Sequence, residues 1–243
     1  MRKGHLGLNE ATVQSMYSIM SELNNRGVPI IFKGAMVLKA MQMQYGNPSG
    51  LTRDTRDIDG DFMVDIDTPK NAVEILRNEI QSVVNDLGYP LIVKIARENG
   101  KFQSAGFEFW DTTLGDVSFT ADINFKDTRT GYTPFSIFYY GNFRFCGQVI
   151  EKSIADKITV VSKRTVCRRI KDMIDLYIIF NMWNGNLIDV VSTFNVDLGD
   201  FSFFKNNIAE LKHAYSRYTN SASVLPFEVV YQYVYNKLQI LMR

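Results

Sequence analysis

Cysteine and histidine are nearly missing from this chain of 243 residues: two of each, Cys146 and Cys167, His5 and His213. Two cysteines exclude a disulfide framework and a cysteine-rich zinc site. They fit a reducing cytosol, so a cytoplasmic location is expected. Two histidines argue against a multi-histidine metal centre. An excess of charge of one sign is missing too. The formal net charge is +1, so the molecule as a whole is no strong polyanion binder, and any contact with nucleic acid has to come from a local patch. Long apolar runs are also lacking. The stretch from Ile174 to Trp183 contains Asp175 and Asn181 and falls far short of the ~20 residues that cross a bilayer. Arg2 and Lys3 are followed by no apolar stretch. Neither a membrane association nor a signal peptide is expected. There is no internal repeat, low-complexity tract or long linker.

Hydrophobic residues make up 46% and charged residues 22% of the chain, values that rule out bulk disorder. The length allows a full core without disulfides or structural metal, in one or two domains.

Apolar spacing organises the chain. Val13, Met16, Tyr17, Met20 and Leu23 predict a helix over residues 9–26, with Asn9 as N-cap and Gly27 as stop. Ile30-Ile31-Phe32 reads as a strand, broken at Gly34 by the start of a helix over 35–45, and a polar Gly/Pro loop follows at 47–50. Residues 57–64 read as a strand with Ile58 and Phe62 toward the core. Thr68-Pro69 open a further helix whose stripe is Ala72, Leu76, Ile80, Val83, Val84 and Leu87. Residues 89–146 carry turn signals at Asn99-Gly100, Leu114-Gly115 and Gly141-Asn142 and read as antiparallel β. The clearest strand is 116–126: Val117, Phe119, Ala121, Ile123 and Phe125 share one face, and Asp116, Ser118, Thr120, Asp122 and Asn124 the other. From about residue 151 the pattern turns helical, over 151–164, 168–182 and 226–241, the last with Pro226 at N1 and Val229, Val230, Tyr233, Val234, Lys237 and Leu241 following. An α+β chain is expected, with a core domain over residues 1–148 and a C-terminal helical domain over 149–243.

The segment Arg53-Asp54-Thr55-Arg56-Asp57-Ile58-Asp59-Gly60-Asp61 is the most unusual. Residues two apart on a strand share a face, so Asp57, Asp59 and Asp61 project together. Two carboxylates ~6 Å apart repel by ~3 kcal/mol at an effective dielectric of about 20. Two Mg²⁺ ions would relieve that repulsion, because hard divalent cations take carboxylate oxygen. A solvated edge strand whose charges suppress aggregation is the plainer alternative. Upstream, Lys33-Gly34-Ala35 marks a strand-to-helix turn, where glycine lets backbone approach a phosphate and the helix start favours an anion. Downstream, Asp122 lies on the polar face of its strand, as a solvent-facing residue or as a third metal-binding carboxylate.

Between Lys157 and Lys171 there are six Lys or Arg residues and no Asp or Glu. Lys157 has Ile154, Ile158 and Val161 as helical neighbours. It therefore borders a buried face, either as a fixed positive charge or as a lysine whose stem covers apolar surface while its ammonium reaches water. Arg168 with Asp172 and Lys171 with Asp175 are i,i+4 pairs of the ordinary surface kind. Phe201, Phe203, Phe204, Tyr215, Tyr218, Phe227, Tyr231 and Tyr233 make the C-terminal third aromatic-rich, for core packing more than for base stacking.

Gly34-Ala35, Asp57-x-Asp59 and a distant Asp122 together resemble the nucleotidyltransferase fold of the DNA polymerase β type. The chain is more closely similar to the AbiEii/AbiGii toxin family, which includes the MenT toxins. Members carry Lys-Gly-Gly and then Arg-x-Ser/Thr-x-Asp-x-Asp, matched here by Lys33-Gly34-Ala35 and by Arg53 to Asp59. The later helical motifs match Glu151, Lys157 and Arg164, then Arg169 to Leu176. Ala35 stands in place of the second glycine, and Met36 where a small hydroxyl residue is often found. The resemblance implies a mixed sheet with flanking helices and transfer of a nucleoside monophosphate from an NTP to an acceptor hydroxyl. It implies Asp57, Asp59 and Asp122 as ligands of two Mg²⁺ ions, and Lys157 with Asp172 or Asp175 as further catalytic groups. Lys33, Gly34, Ala35, Arg53, Thr55, Arg164 and Arg169 would bind the nucleotide. It also implies a toxin of a toxin–antitoxin or phage-defence pair, with tRNA as acceptor and an antitoxin that need not touch it. A small-molecule nucleotidyltransferase, such as an antibiotic adenylyltransferase, and a catalytically silent nucleotide-binding protein remain alternatives.

Overall fold

Asn9 starts the first helix by accepting a hydrogen bond from the backbone N–H of Ala11 (3.0 Å), which satisfies one of the donors a helix start leaves open. This computed structural model describes residues 9–52, 55–65, 72–99, 103–163, 169–206, 208–218 and 225–242. They form two compact units. The first comprises residues 1–40 and 54–148, and the second residues 41–53 and 149–243. The loop at 47–50, which the sequence reading places in the first domain, thus packs with the helical unit.

The first unit contains α1 (Glu10–Asn25), β1 (Ile30–Lys33), the start of α2 (Gly34–Tyr45), β2 (Asp57–Val64), α3 (Ala72–Asp86), β3 (Leu91–Asn99), β4 (Ser104–Asp111), β5 (Asp116–Asp127), β6 (Phe135–Tyr140) and β7 (Phe143–Gln148). The strands make one seven-stranded sheet in the order β3-β4-β5-β2-β1-β7-β6. Hairpins β3–β4, β4–β5 and β6–β7 are antiparallel, as expected for 89–146. β5 then joins β2 in parallel, and β7 joins β1 in parallel, so the sheet is mixed. The α+β architecture with a mixed sheet and flanking helices is the one expected.

One face of the sheet is the core. Phe107, Phe109, Phe119, Ala121, Ile123 and Ile58 are buried on it, and Phe109 stacks on Phe119 with ring centres 4.2 Å apart. Each of these Phe and Ile side chains contributes ~1.5–3 kcal/mol when fully buried. Position 60 lies on the same face, two residues from Ile58, and is glycine because a Cβ there would meet the Ile30 and Ile123 side chains at 2.9 and 3.0 Å. Phe62 was expected in the core but is only half-buried, edge-on to Phe125 at 5.7 Å. The α1 stripe packs against β7 and against α3. Its Tyr17 stacks on Tyr140 (3.8 Å) and donates to the carbonyl of Met36 (2.7 Å). The expected opening of α3 at Thr68-Pro69 and the turn at Gly100 lie outside the described residues.

The second unit holds the end of α2, then α4 (Ile150–Lys163), α5 (Ile170–Met182), α6 (Leu187–Thr193), α7 (Ser202–Asn206), α8 (Ile208–Tyr218) and α9 (Phe227–Leu238), which ends in a single turn of 3-10 helix, Gln239–Leu241. Its core takes Phe201, Phe203, Phe204, Tyr215 and Phe227, so these aromatics are packing residues. In α9 the buried stripe is Phe227, Val230, Val234 and Leu238. Val229 lies off that stripe and is exposed, and the helix starts one residue later than its sequence suggests, with Pro226 as the N-cap. No helix among the described residues is long and apolar enough to cross a membrane.

Candidate active site

Strand pairing brings together carboxylates that lie far apart in the chain. Asp57 and Asp59 project from the open face of β2, opposite the core. β5 runs parallel beside it with Asp57 level with Thr120, Asp59 with Asp122, and Asp61 with Asn124. On the other side Lys33 of β1 is level with Asp59. Neighbouring strands are ~4.8 Å apart, and two charges ~5 Å apart repel by ~3 kcal/mol at an effective dielectric of about 20. Asp59 beside Asp122 is therefore an unfavourable pair, and it needs cations or good solvation.

Each carboxylate has its own partner. Asp57 accepts a hydrogen bond from the Thr120 hydroxyl. Asp59 lies against Gly34, the first residue of α2, whose φ is +72° and whose missing Cβ would collide with Asp59 Oδ2. Glycine is required there on both counts. Asp122 Oδ1 is 2.9 Å from Arg97 Nη2. Asp61, only 4% exposed, is tied to Lys33 Nζ and accepts from Asn124 Nδ2 (3.1 Å) and the Thr133 hydroxyl (2.9 Å). Burial pushes its pKa up, but the Lys33 charge and these hydrogen bonds prevail and hold it below the ordinary carboxylate value.

Of the expected nucleotide-binding residues, Lys33 is engaged with Asp61. Gly34 stands at the start of α2, its backbone next to Asp59. The Ala35 and Met36 side chains are both in the core, so neither position presents a side chain to a ligand and only their backbone is available. Thr55 accepts from the backbone N–H of Asp57 (3.1 Å), which shapes the entry to β2. Arg53, Arg164 and Arg168 lie outside the described residues.

In the second unit Lys157 of α4 turns inward. Its Nζ is 2.6 Å from Asp175 Oδ2 and 3.5 Å from Asp172 Oδ1, both on α5. Asp175 is fully buried, and the Lys157 side chain is only 14% exposed. The snorkelling alternative and the i,i+4 pairing of Asp175 with Lys171 are thus both replaced by a buried interhelical ion pair. Arg169 sits 3.7 Å from Asp172 Oδ2. Among the described residues, Arg169 Nε and Asp172 Oδ2 are buried without a hydrogen-bond partner. Trp183 Nε1 donates to Glu151 at 3.1 Å.

The expected metal ligands Asp57, Asp59 and Asp122 share one sheet face on adjacent positions, and their donors are all hard carboxylate oxygens of the kind Mg²⁺ takes. In donor chemistry they fit that ion. As the side chains stand they do not converge: among the described residues no group of three or more His, Cys, Asp or Glu is drawn together as a metal site. Sequence reasoning did not find Thr120, Asn124, Thr133 or Arg97. The signal for Arg97 was Gly106, a glycine inside a strand pattern, which marks a bulge or a close approach.

No protein-family profile and no curated protein matches the chain. Among solved structures it is similar to MenT4, a nucleotidyltransferase toxin of Mycobacterium tuberculosis H37Rv, at 12% identity over 96% of this chain and 93% of that one, with a TM-score of 0.44. It is also similar to an antigenic nucleotidyltransferase-like protein of Paracoccidioides brasiliensis, at 11% identity over 82% of this chain and 99% of that one, with a TM-score of 0.44.

Proposed function

We propose that this protein is a nucleotidyltransferase of the AbiEii/AbiGii toxin kind. It would transfer a nucleoside monophosphate from an NTP to a hydroxyl of RNA, with tRNA as acceptor, as the toxin of a toxin–antitoxin or phage-defence pair. The observation that carries the reading is the register of β2 on β5. It sets Asp59 beside Asp122 and on the same face as Asp57, next to the Gly34 turn that opens α2. Three carboxylates on adjacent positions are costly without a cation, and an NTP arrives with one.

Asp57, Asp59 and Asp122 would hold Mg²⁺, which when bound neutralises the charge that develops on the phosphoryl oxygens. The chain's own groups do the rest. The backbone N–H groups of Gly34 and Ala35, at the N-terminus of α2, receive a phosphate. Asp122 Oδ2 accepts the proton of the attacking hydroxyl. As the new O–P bond forms, the bond to pyrophosphate breaks. Thr120 keeps Asp57 in place, and Lys33 with Asp61 fixes the end of β1 that leads into Gly34.

The test is incubation of the protein with each labelled NTP in turn, Mg²⁺ and total tRNA, resolved on a gel. Label in the tRNA that disappears with EDTA supports the reading. Label transferred to a small hydroxyl compound and never to RNA makes the protein a small-molecule enzyme, and no transfer to either makes it a binding protein.

A further inference from the structure

Two irregularities in the β3–β4 hairpin act on one residue. Up to Ile95 the pairing is regular, with Val93 level with Phe109 and Ile95 with Phe107, all on the core face. The register then slips: Arg97, not Ala96, is level with Gly106. Without this bulge Ala96 would lie on the open face and Arg97 would point at the core. With it, Arg97 joins the open face, in the same cross-strand row as Asp122 and Asp59. Gly106 is the second irregularity. A Cβ there would lie 2.9 Å from Arg97 Cγ, 3.0 Å from Arg97 Nε and 3.2 Å from Asp122 Oδ1. The Arg97 stem therefore lies across the bare backbone of β4, which lets the guanidinium span a whole strand to reach Asp122 at 2.9 Å. The row reads Lys33, Asp59, Asp122, Gly106, Arg97, two carboxylates flanked by two cations. The Arg97 side chain is 63% exposed, so releasing it uncovers no buried charge.

We propose that Arg97 is an exchangeable counter-cation of this site. It occupies Asp122 in the free protein, gives it up when a divalent cation binds there, and then donates to a phosphate of the nucleotide that comes with the cation. The proposal rests on the nucleotidyltransferase reading and assigns Arg97 a task within it. A guanidinium suits both positions, because its fork of N–H donors matches carboxylate and phosphate alike. The contact with Asp122 is an exposed pair of the weak class, which is what an exchange requires.

Arg97 then has opposite effects on the two ligands, a signature that a structural residue does not give. Mn²⁺ binding without nucleotide, read from the free-ion EPR signal, should be about threefold tighter in Arg97→Gln than in wild type. Binding of the α,β-methylene analogues of ATP, CTP, GTP and UTP with Mg²⁺, read by calorimetry, should be about tenfold weaker for whichever analogue binds the wild type. Gly106→Ala, which pushes the Arg97 stem aside but keeps its charge, should also tighten Mn²⁺. Melting curves certify that the variants are folded. If both affinities move the same way, or either is unchanged in Arg97→Gln, the exchange is wrong. Asp59→Asn separates this from failure of the underlying reading: if it binds Mn²⁺ as the wild type does, the carboxylate site itself is wrong and the exchange falls with it.

Discussion

Replacing Lys157 by methionine keeps the length and the apolar stem but removes the ammonium that sits 2.6 Å from a carboxylate with no solvent exposure. The size of the effect distinguishes two structural accounts. A lysine whose head reached water would contribute an exposed pair, worth about 0–1 kcal/mol. Removing one partner of a buried pair leaves the other charge stranded and costs about 3–5 kcal/mol. The geometry selects the second figure. For a chain of this size each kcal/mol moves the melting midpoint by about 2–4 °C, so Lys157→Met should melt roughly 10 °C below wild type. The double variant Lys157→Met/Asp175→Asn removes the stranded charge as well and should recover most of the loss. The assay is urea unfolding of wild type, both single variants and the double variant, combined as a thermodynamic cycle with an expected coupling of about 2–3 kcal/mol. A coupling near zero, or a Lys157→Met midpoint equal to wild type, would refute the buried-pair reasoning.

Asp57→Asn and Asp59→Asn keep shape and remove charge; each should abolish Mg²⁺-dependent transfer in the gel assay, and because both lie on the open face, their melting should change little. Gly34→Ala puts a Cβ into the Asp59 carboxylate at a φ of +72°, so it should cost at least the ~1–2 kcal/mol of a left-handed alanine, measured by denaturant unfolding. Burial pushes the Tyr215 phenol, whose hydroxyl donates to the Leu225 carbonyl at 2.9 Å, up to about 12. A folded-state value above the unfolded one near 10 gives stability that is full below about pH 10 and is lost as pH rises through about 12. Tyr215→Phe should flatten that alkaline decline in a pH series of melting curves.

The parts of this protein that depend on neighbours along the chain were legible in its sequence. Alternation placed Asp57 and Asp59 on one face of a strand, and Phe119, Ala121 and Ile123 opposite Thr120, Asp122 and Asn124 on another. The period of a strand is local and strict, so these assignments follow from spacing alone. The α1 cap at Asn9 and the break at Gly34 followed for the same reason. What only the tertiary structure decided is how those faces meet. The parallel pairing of β2 with β5 joins residues over sixty positions apart, and nothing within either strand fixes which residue stands level with which. Register between distant strands is set by the packing of the whole sheet. The bulge before Arg97 matters because Gly106, on the partner strand, leaves room for the side chain to cross. Lys157 likewise sits on the border of its helix's apolar face in the sequence, where water and the interior are equal options. The fully buried Asp175 on the neighbouring helix turned it inward, because a carboxylate without solvent requires a cation.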